Sequence, residues 1–246
     1  MTETAVLMMV TYNRLDLTKQ TIESLYSTIY RDFQLVIVDN GSSDETFEYL
    51  TKLAKEKSNV HLKFNTENKG IAKGRNQALK MAEELDGTWL STIDNDVIFP
   101  DNWLDKCINI LKANSNFAMI GVNFESAVYP IVNLNGYEFE KKPQGNLGTA
   151  CIVFNKKIVK LVGYFNYEYG TQYGEDDADY GMRVRTTGLQ MGYLKEHGTH
   201  IGEGEADTGL YREFKDECRK KNLALFHQNC RDYMAGKKPI YIPYKE

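Results

Sequence analysis

The stretch that decides the fold is Ala5-Val6-Leu7-Met8-Met9-Val10, running into the polar Thr11-Tyr12-Asn13-Arg14 and then into Leu15–Ile29 with Leu17, Ile22, Leu25 and Ile29 at helical spacing. A short apolar run closed by a polar turn reads as a buried strand, and the 3.6-residue period after it reads as a helix. The same unit then repeats. Strands are expected at 33–38, 60–64 and 88–93, and helices at 44–56 and 71–85. Ser42 followed three residues later by Glu45 fits a capping box for the second helix. Strand alternating with helix implies an α/β fold with a mostly parallel, doubly wound, Rossmann-like sheet flanked by helices.

Beyond Pro100 the pattern gives a helix over 102–112 and a strand over 117–122, then strand-like pieces around Tyr129-Pro130 and Asn135-Gly136 up to Val153. These imply a mixed or antiparallel extension. A polar segment, Gly174 to Gly181, precedes a strand-like run at 191–194, and a helix from about Thr208 to Met234 closes the pattern. Leu210, Phe214, Cys218, Phe226, Cys230 and Tyr233 stack on one face of it. Arg219, Lys220 and Lys221 lie opposite. A solvated face is the first reading of those charges, and a membrane-surface or partner-docking face the second. No linker or repeat interrupts the chain, so one domain is expected over 1–246, with residues 1–100 as one half and 101–246 as the other.

Composition narrows the function. The 246 residues carry 30 Lys and Arg against 34 Asp and Glu, a formal charge of −4. That leaves no cationic excess for a sequence-independent hold on DNA or RNA, so nucleic acid is not an expected partner. The four cysteines, Cys107, Cys151, Cys218 and Cys230, have no metal or redox spacing. The first residues lack a signal-peptide pattern and no run is long enough to span a membrane, from which a cytoplasmic protein is expected, with peripheral membrane contact as the variant.

In an open parallel sheet, ligands sit beyond the carboxyl ends of the strands. Four polar turns fall there: Thr11–Arg14, Asp39-Asn40-Gly41-Ser42-Ser43-Asp44, Asn65–Gly70 and Asp94-Asn95-Asp96. In the last, an extended backbone would put Asp94 and Asp96 on the same side, where two like charges need a neutralising partner. All-oxygen ligation would suit magnesium or manganese. An acidic helix N-terminus is the competing reading.

The strings Val10-Thr11-Tyr12-Asn13-Arg14, Val36 through Asp44, Asn68-Lys69-Gly70 through Asn76 and Asp94-Asn95-Asp96, in that order, resemble glycosyltransferase family 2, inverting enzymes of the glycosyltransferase A-type fold. The resemblance implies a nucleotide pocket drawn from Thr11, Tyr12, Asn13, Arg14, Asp39, Asn40, Lys69, Gly70, Arg75, Asp94 and Asn95, with Asp39 accepting from the base and Arg75 near the diphosphate. It implies metal ligation by Asp94, Asp96 and His200, the cofactor being Mn2+ or Mg2+. It also implies a nucleotide-sugar donor, uridine diphosphate first, and a glycan, lipid-linked glycan or protein acceptor.

The resemblance also implies a catalytic base in Gly174-Glu175-Asp176-Asp177-Ala178-Asp179-Tyr180-Gly181-Met182-Arg183. Aligning on Arg183 gives Asp177, and aligning on Glu175-Asp176 gives Asp176. Gly145 to Cys151 resembles the cover of the donor sugar, Gly202 to Gly209 a lid, and Tyr164, Tyr167, Tyr169 and Tyr173 are candidate sugar platforms. A nucleotidyltransferase and a non-catalytic nucleotide-sugar or glycan-binding module remain alternatives at this point. The turn Thr11–Arg14 lacks the Gly-rich, lysine-bearing loop of the former.

Overall fold

The computed structural model describes residues 4–125, 127–142, 147–148, 150–170, 174–202 and 210–245, without the side chains of 210–212 and 214–215. The first half follows the expected alternation: β1 (Ala5–Thr11), α1 (Leu15–Thr28), β2 (Phe33–Asp39), α2 (Thr46–Glu56), β3 (Val60–Phe64), α3 (Ile71–Glu84) and β4 (Trp89–Ile93). After β5 (Val97–Ile98) come α4 (Trp103–Ala113), β6 (Phe117–Gly121), a hairpin of β7 (Ile131–Leu134) and β8 (Tyr137–Lys141), and β9 (Cys151–Asn155). The rest holds α5 (Lys157–Val162), α6 (Asp176–Thr186), β10 (Gln190–Tyr193), β11 (Thr199–His200) and α7 (Leu210–Met234).

Among the described residues one sheet of nine strands runs β3-β2-β1-β4-β9-β6-β10-β8-β7. Strands β3, β2, β1 and β4 are mutually parallel. Strand β9 is antiparallel to both β4 and β6, and β10 is parallel to β6. The sheet is therefore mixed at its centre, as the change of pattern past Pro100 implied. Side chains alternate across it. Leu7 and Met9 pack with Ile22, Leu25 and Trp103 on one face, while Val6 and Met8 pack with Leu79, Ala82 and Val162 on the other. Helices cover both faces because both faces are apolar. No described helix is long and apolar enough to cross a membrane.

Local details depart from expectation in three places. Ser42 does not cap α2: its hydroxyl donates to Asp39 Oδ1 at 2.5 Å. Asp44 takes over, accepting from Thr46 N at 3.1 Å and from Leu15 N at 3.3 Å, so one carboxylate serves the N-termini of both α2 and α1. Burial works against that charge, yet these hydrogen bonds hold the Asp44 carboxyl below the ordinary value. Second, the polar segment Gly174–Gly181 opens a helix, α6. Third, the covered side of α7 holds the described members of the expected apolar stripe together with two asparagines. Cys218 and Tyr233 are buried, Phe226 and Cys230 are half-buried, and Asn222 and Asn229 share the covered side. The side chains of Leu210 and Phe214, and residues 203–209, lie outside what is described.

Candidate active site

Register brings the polar turns together. Strand β1 pairs with β2 so that Thr11 lies opposite Asp39, and β1 pairs with β4 so that Met9 lies opposite Ile93, one residue before Asp94. The turns are then stitched to one another. Asn95 Nδ2 donates to Thr11 Oγ1 at 3.1 Å and to Thr18 Oγ1 at 2.9 Å. Asn13 N donates to Ser42 Oγ, and Ser43 N to Asn13 Oδ1, both at 2.8 Å. Asn40 is the hub of the β2 side: its Oδ1 accepts from Lys69 N at 3.1 Å and its Nδ2 donates to Gly70 O at 3.3 Å. Gly41 sits at φ +84 with the Glu67 backbone 2.7 Å from where a Cβ would be, so only glycine lets these two loops touch. Thr11, Asp39 and Asn40 are buried, while the Tyr12 ring is exposed above them.

Asp94 and Asp96 do not share a side. The strand ends at Ile93 and the chain turns through Asn95-Asp96, so the two carboxylates take different arginines. Arg75 bridges Asp94 Oδ1, at 3.1 Å from Nη2, and Asp176 Oδ2, at 2.6 Å from Nη1, with its guanidinium 5.7 Å from the Phe165 ring centre. Arg14 Nη1 lies 2.8 Å from Asp96 Oδ2. Burial opposes the charge on Arg75, but Asp176 and Asp94 raise its pKa further. Burial pushes the Asp176 carboxyl up, against the pull of Arg75.

His200 reaches the same spot from far along the chain. Strand β11 pairs antiparallel with β5, placing His200 opposite Val97, the residue after Asp96. Its Nε2 lies 3.6 Å from Asp96 Oδ1, and its buried Nδ1 has no hydrogen-bond partner among the described residues. A carboxylate oxygen and an imidazole nitrogen this close fit a manganese-type ion. Asp94, turned to Arg75, does not join them, and no three His, Cys, Asp or Glu among the described residues gather closely enough to hold a metal. His197, the other histidine of that turn, is paired with Glu140 at 2.7 Å.

The acidic run before Arg183 separates into three roles. Asp176, 2% exposed, faces Arg75. Asp179 turns inward to Arg183 at 2.6 Å, both side chains being fully buried. Asp177 is half-buried and lines a cavity of about 260 Å3 with Glu125, Lys142, Leu147, Gly148 and Ala178. A larger groove, about 430 Å3, lies between α1 and α2 and is lined by Leu15, Lys19, Glu45, Glu48, Tyr49 and Lys52, none of them a member of the carboxylate–arginine pairs just described.

The expected tyrosine platforms are packing residues. Tyr164 hydrogen-bonds Glu83 and packs on Tyr244, and Tyr169 donates to Asp179. Tyr167 Oη accepts from Lys245 N at 2.9 Å. Tyr173, residues 203–209 of the lid and residues 145, 146 and 149 of the cover lie outside the described residues. The aromatic pair closest to the cavity is one the sequence reading passed over. Tyr129 stacks on Tyr193, Lys142 Nζ stands 5.2 and 5.5 Å from their ring centres, and Gly148 N donates to Tyr193 Oη at 3.0 Å. Tyr129 lies just before β7 and Tyr193 ends β10, so 64 residues separate the pair and local spacing does not point to it.

Comparison with known proteins identifies the family and the fold. Residues 6–158, more than half of the chain, match the family described as glycosyl transferase family 2. The chain is 25% identical over 196 residues to the UDP-Glc:alpha-D-GlcNAc-diphosphoundecaprenol beta-1,3-glucosyltransferase WfaP of Escherichia coli, covering 76% of this chain and 74% of that one. It spans only 14% and 42% of the length of uncharacterized glycosyltransferases of Rickettsia bellii and Haemophilus influenzae, each matched at 28% identity. The mannosyltransferase PcManGT from Pyrobaculum calidifontis, solved with GDP-Man and Mn2+, superposes with a TM-score of 0.64 at 17% identity, covering 82% of this chain and 58% of that one. GalNAc-T7, solved with UDP, GalNAc and Mn2+, gives 0.67 at 12% identity, covering 94% and 50%. These two likenesses establish the glycosyltransferase A-type fold, and the family match over β1 to the start of α5 establishes the rest: the chain belongs to glycosyl transferase family 2.

Proposed function

We propose that this chain is an inverting, divalent-cation-dependent glycosyltransferase that moves a sugar from a nucleoside diphosphate, uridine diphosphate first, to the hydroxyl of a glycan, lipid-linked glycan or protein acceptor. The observation that carries the reading is the Arg75 bridge. It ties Asp94, on the turn after β4, to Asp176 at the start of α6, and so sets the next residue, Asp177, at the wall of the cavity. The printed donor of the Escherichia coli relative and the nucleotides held by the two solved neighbours support the donor class.

In this reading residues 1–100 hold the nucleotide and 101–246 the acceptor. Asp39 accepts from the base, beside the exposed Tyr12 ring. Asp96 and His200 would hold a divalent cation, Mn2+ or Mg2+, whose positive charge would offset that of the departing diphosphate. Asp177 takes the acceptor hydroxyl proton as that oxygen attacks the anomeric carbon from the face opposite the phosphate, and one carboxylate suffices for this single displacement. Asp177 is preferred to Asp176 as base because Asp176 is buried against a guanidinium, whereas Asp177 reaches the cavity.

Asp177→Asn is expected to lower turnover of UDP-glucose or UDP-N-acetylglucosamine by roughly 10²–10⁴-fold, the range for losing a general base. UDP with Mn2+ should still raise its melting temperature as in the wild type, because ligation stabilises the folded state by mass action. Near-normal turnover in that variant would remove Asp177 from the role. Release of pyrophosphate from a nucleoside triphosphate and a sugar phosphate would instead place the chain among nucleotidyltransferases.

A further inference from the structure

Arg14 is an unusual neighbour for a carboxylate assigned to a metal. Its guanidinium is 2.8 Å from Asp96 Oδ2, while Asp96 Oδ1 is the oxygen that faces His200. The pair is sheltered, with side-chain exposures of 26% and 9%. The backbone under Arg14 is committed to this arrangement. Asn13 and Arg14 both sit in the left-handed region, at φ 55 and φ 60, a conformation that costs a side chain such as arginine about 1 kcal/mol or more. Asn13 is pinned to the Ser42-Ser43 turn, and Arg14 O accepts from Thr18 N at 3.0 Å, so the loop is anchored on both sides. The Asp96 turn is fixed as well, through Asn95 and through Ile201 N, which donates to Asp96 O at 2.9 Å.

We propose that Arg14 is a built-in counter-ion for Asp96 that gates the metal site: paired with the carboxylate, it must leave before Asp96 can ligate a divalent cation. The inference rests on the metal assignment in the proposed function. Its physical basis is charge exclusion. A guanidinium at hydrogen-bond distance repels a second cation from the same carboxylate, and in a partly buried site water screens that repulsion weakly. A donor diphosphate offers Arg14 an alternative anionic partner suited to its bidentate fork. Cation and nucleotide therefore bind cooperatively, and the cation is not held tightly beforehand. By linkage, each ligand tightens the other by the same factor.

The test is Mn2+ binding without nucleotide, followed by titration calorimetry and by the paramagnetic resonance of the free ion, and then repeated with saturating UDP. Arg14→Asn removes the charge while keeping a residue that tolerates the left-handed backbone. It is expected to bind Mn2+ alone at least tenfold more tightly than the wild type, and the tightening of Mn2+ by UDP should shrink by at least that factor. Arg14→Lys, which keeps a cation, should stay within about threefold of the wild type in Mn2+ alone, an outcome a purely structural role for Arg14 would not produce. Asp96→Asn in the Arg14→Asn background should erase the gain. Unchanged or weaker Mn2+ binding in Arg14→Asn, with Asp96→Asn still weakening Mn2+ in the presence of UDP, overturns the gate and leaves the proposed function standing. Failure of the wild type to bind Mn2+ even with UDP overturns both.

Discussion

Asp179→Asn tests how the helix that carries the acidic residues is seated. Asp179 Oδ1 accepts from Arg183 Nε at 2.6 Å. Its Oδ2 accepts from Tyr233 Oη at 2.9 Å, Tyr169 Oη at 3.1 Å and Asn166 Nδ2 at 3.3 Å, with Asn229 Nδ2 at 3.5 Å. Every neighbour of the carboxylate is a donor. An asparagine of the same shape must turn its own NH2 either toward Arg183 or toward the two tyrosines, so one side of the cluster meets donor against donor, and Arg183, fully buried, loses its counter-ion. Removing one partner of a buried ion pair costs about 3–5 kcal/mol. At roughly 2–4 °C per kcal/mol for a chain of this size, the melting temperature should fall by roughly 6–20 °C.

Urea unfolding read by tyrosine and tryptophan fluorescence measures the free energy, and the same samples give the melting temperature. Arg183→Met should couple to it. That variant leaves Asp179 Oδ2 its four donors, and the double variant should lose clearly less than the sum of the two singles. Asp179→Asn should also slow donor turnover, because Asp176 and Asp177 ride on the same helical turn. A loss below about 1 kcal/mol, or strict additivity with Arg183→Met, would refute the idea that this cluster seats α6 against α7.

Two further predictions concern packing and thiol chemistry. Gly163 has φ +72, and a Cβ there would lie 1.9 Å from Ile242 O; Gly163→Ala should therefore unseat the 240–245 segment, destabilise the protein by about 1–3 kcal/mol, and speed limited proteolysis near residue 240. Burial pushes the Cys151 thiol up to about 12 and Cys230 up to about 11, and Cys107 well above its ordinary value. Iodoacetamide at pH 8 should accordingly modify these three slowly in the native protein and rapidly in urea, since only the thiolate reacts; fast native alkylation of Cys151, located by mass spectrometry, would contradict its placement in the core.

The N-terminal half was legible because β1, β2 and β4 are buried on both sides and its helices on one, which are patterns that periodicity detects well. Helix α6 was not, for an opposite reason. Its sequence DDADYGMRVRT buries two aspartates, an arginine and a glycine along with Tyr180 and Val184, so its inward face looks polar until Arg183 is seen to reach the carbonyls of Val162 and Tyr164. The same applies to Asn222 and Asn229 on α7, whose amides donate to Gly174 O and toward the Asp179 cluster. The candidate site divides along similar lines. That the turns converge could be read from their positions after successive strands. Which cation answers which carboxylate could not, because Arg14 is 82 residues from Asp96 and Arg75 is 101 from Asp176, and neither pairing leaves a mark on local spacing.

The antiparallel strand β9 has a consequence for how the chain is made. It lies between β4 and β6, and its residues 151–155 pair with 89–93, so β4 keeps an open hydrogen-bonding edge until some sixty further residues have left the ribosome. During that interval the four parallel strands already synthesised present Leu90, Thr92 and Ile93 on an unpaired border, the kind of edge that templates association between nascent chains. Fragments ending before residue 150 should therefore aggregate even though they contain all four of these parallel strands, and β9 is the strand whose arrival closes the exposed edge of β4.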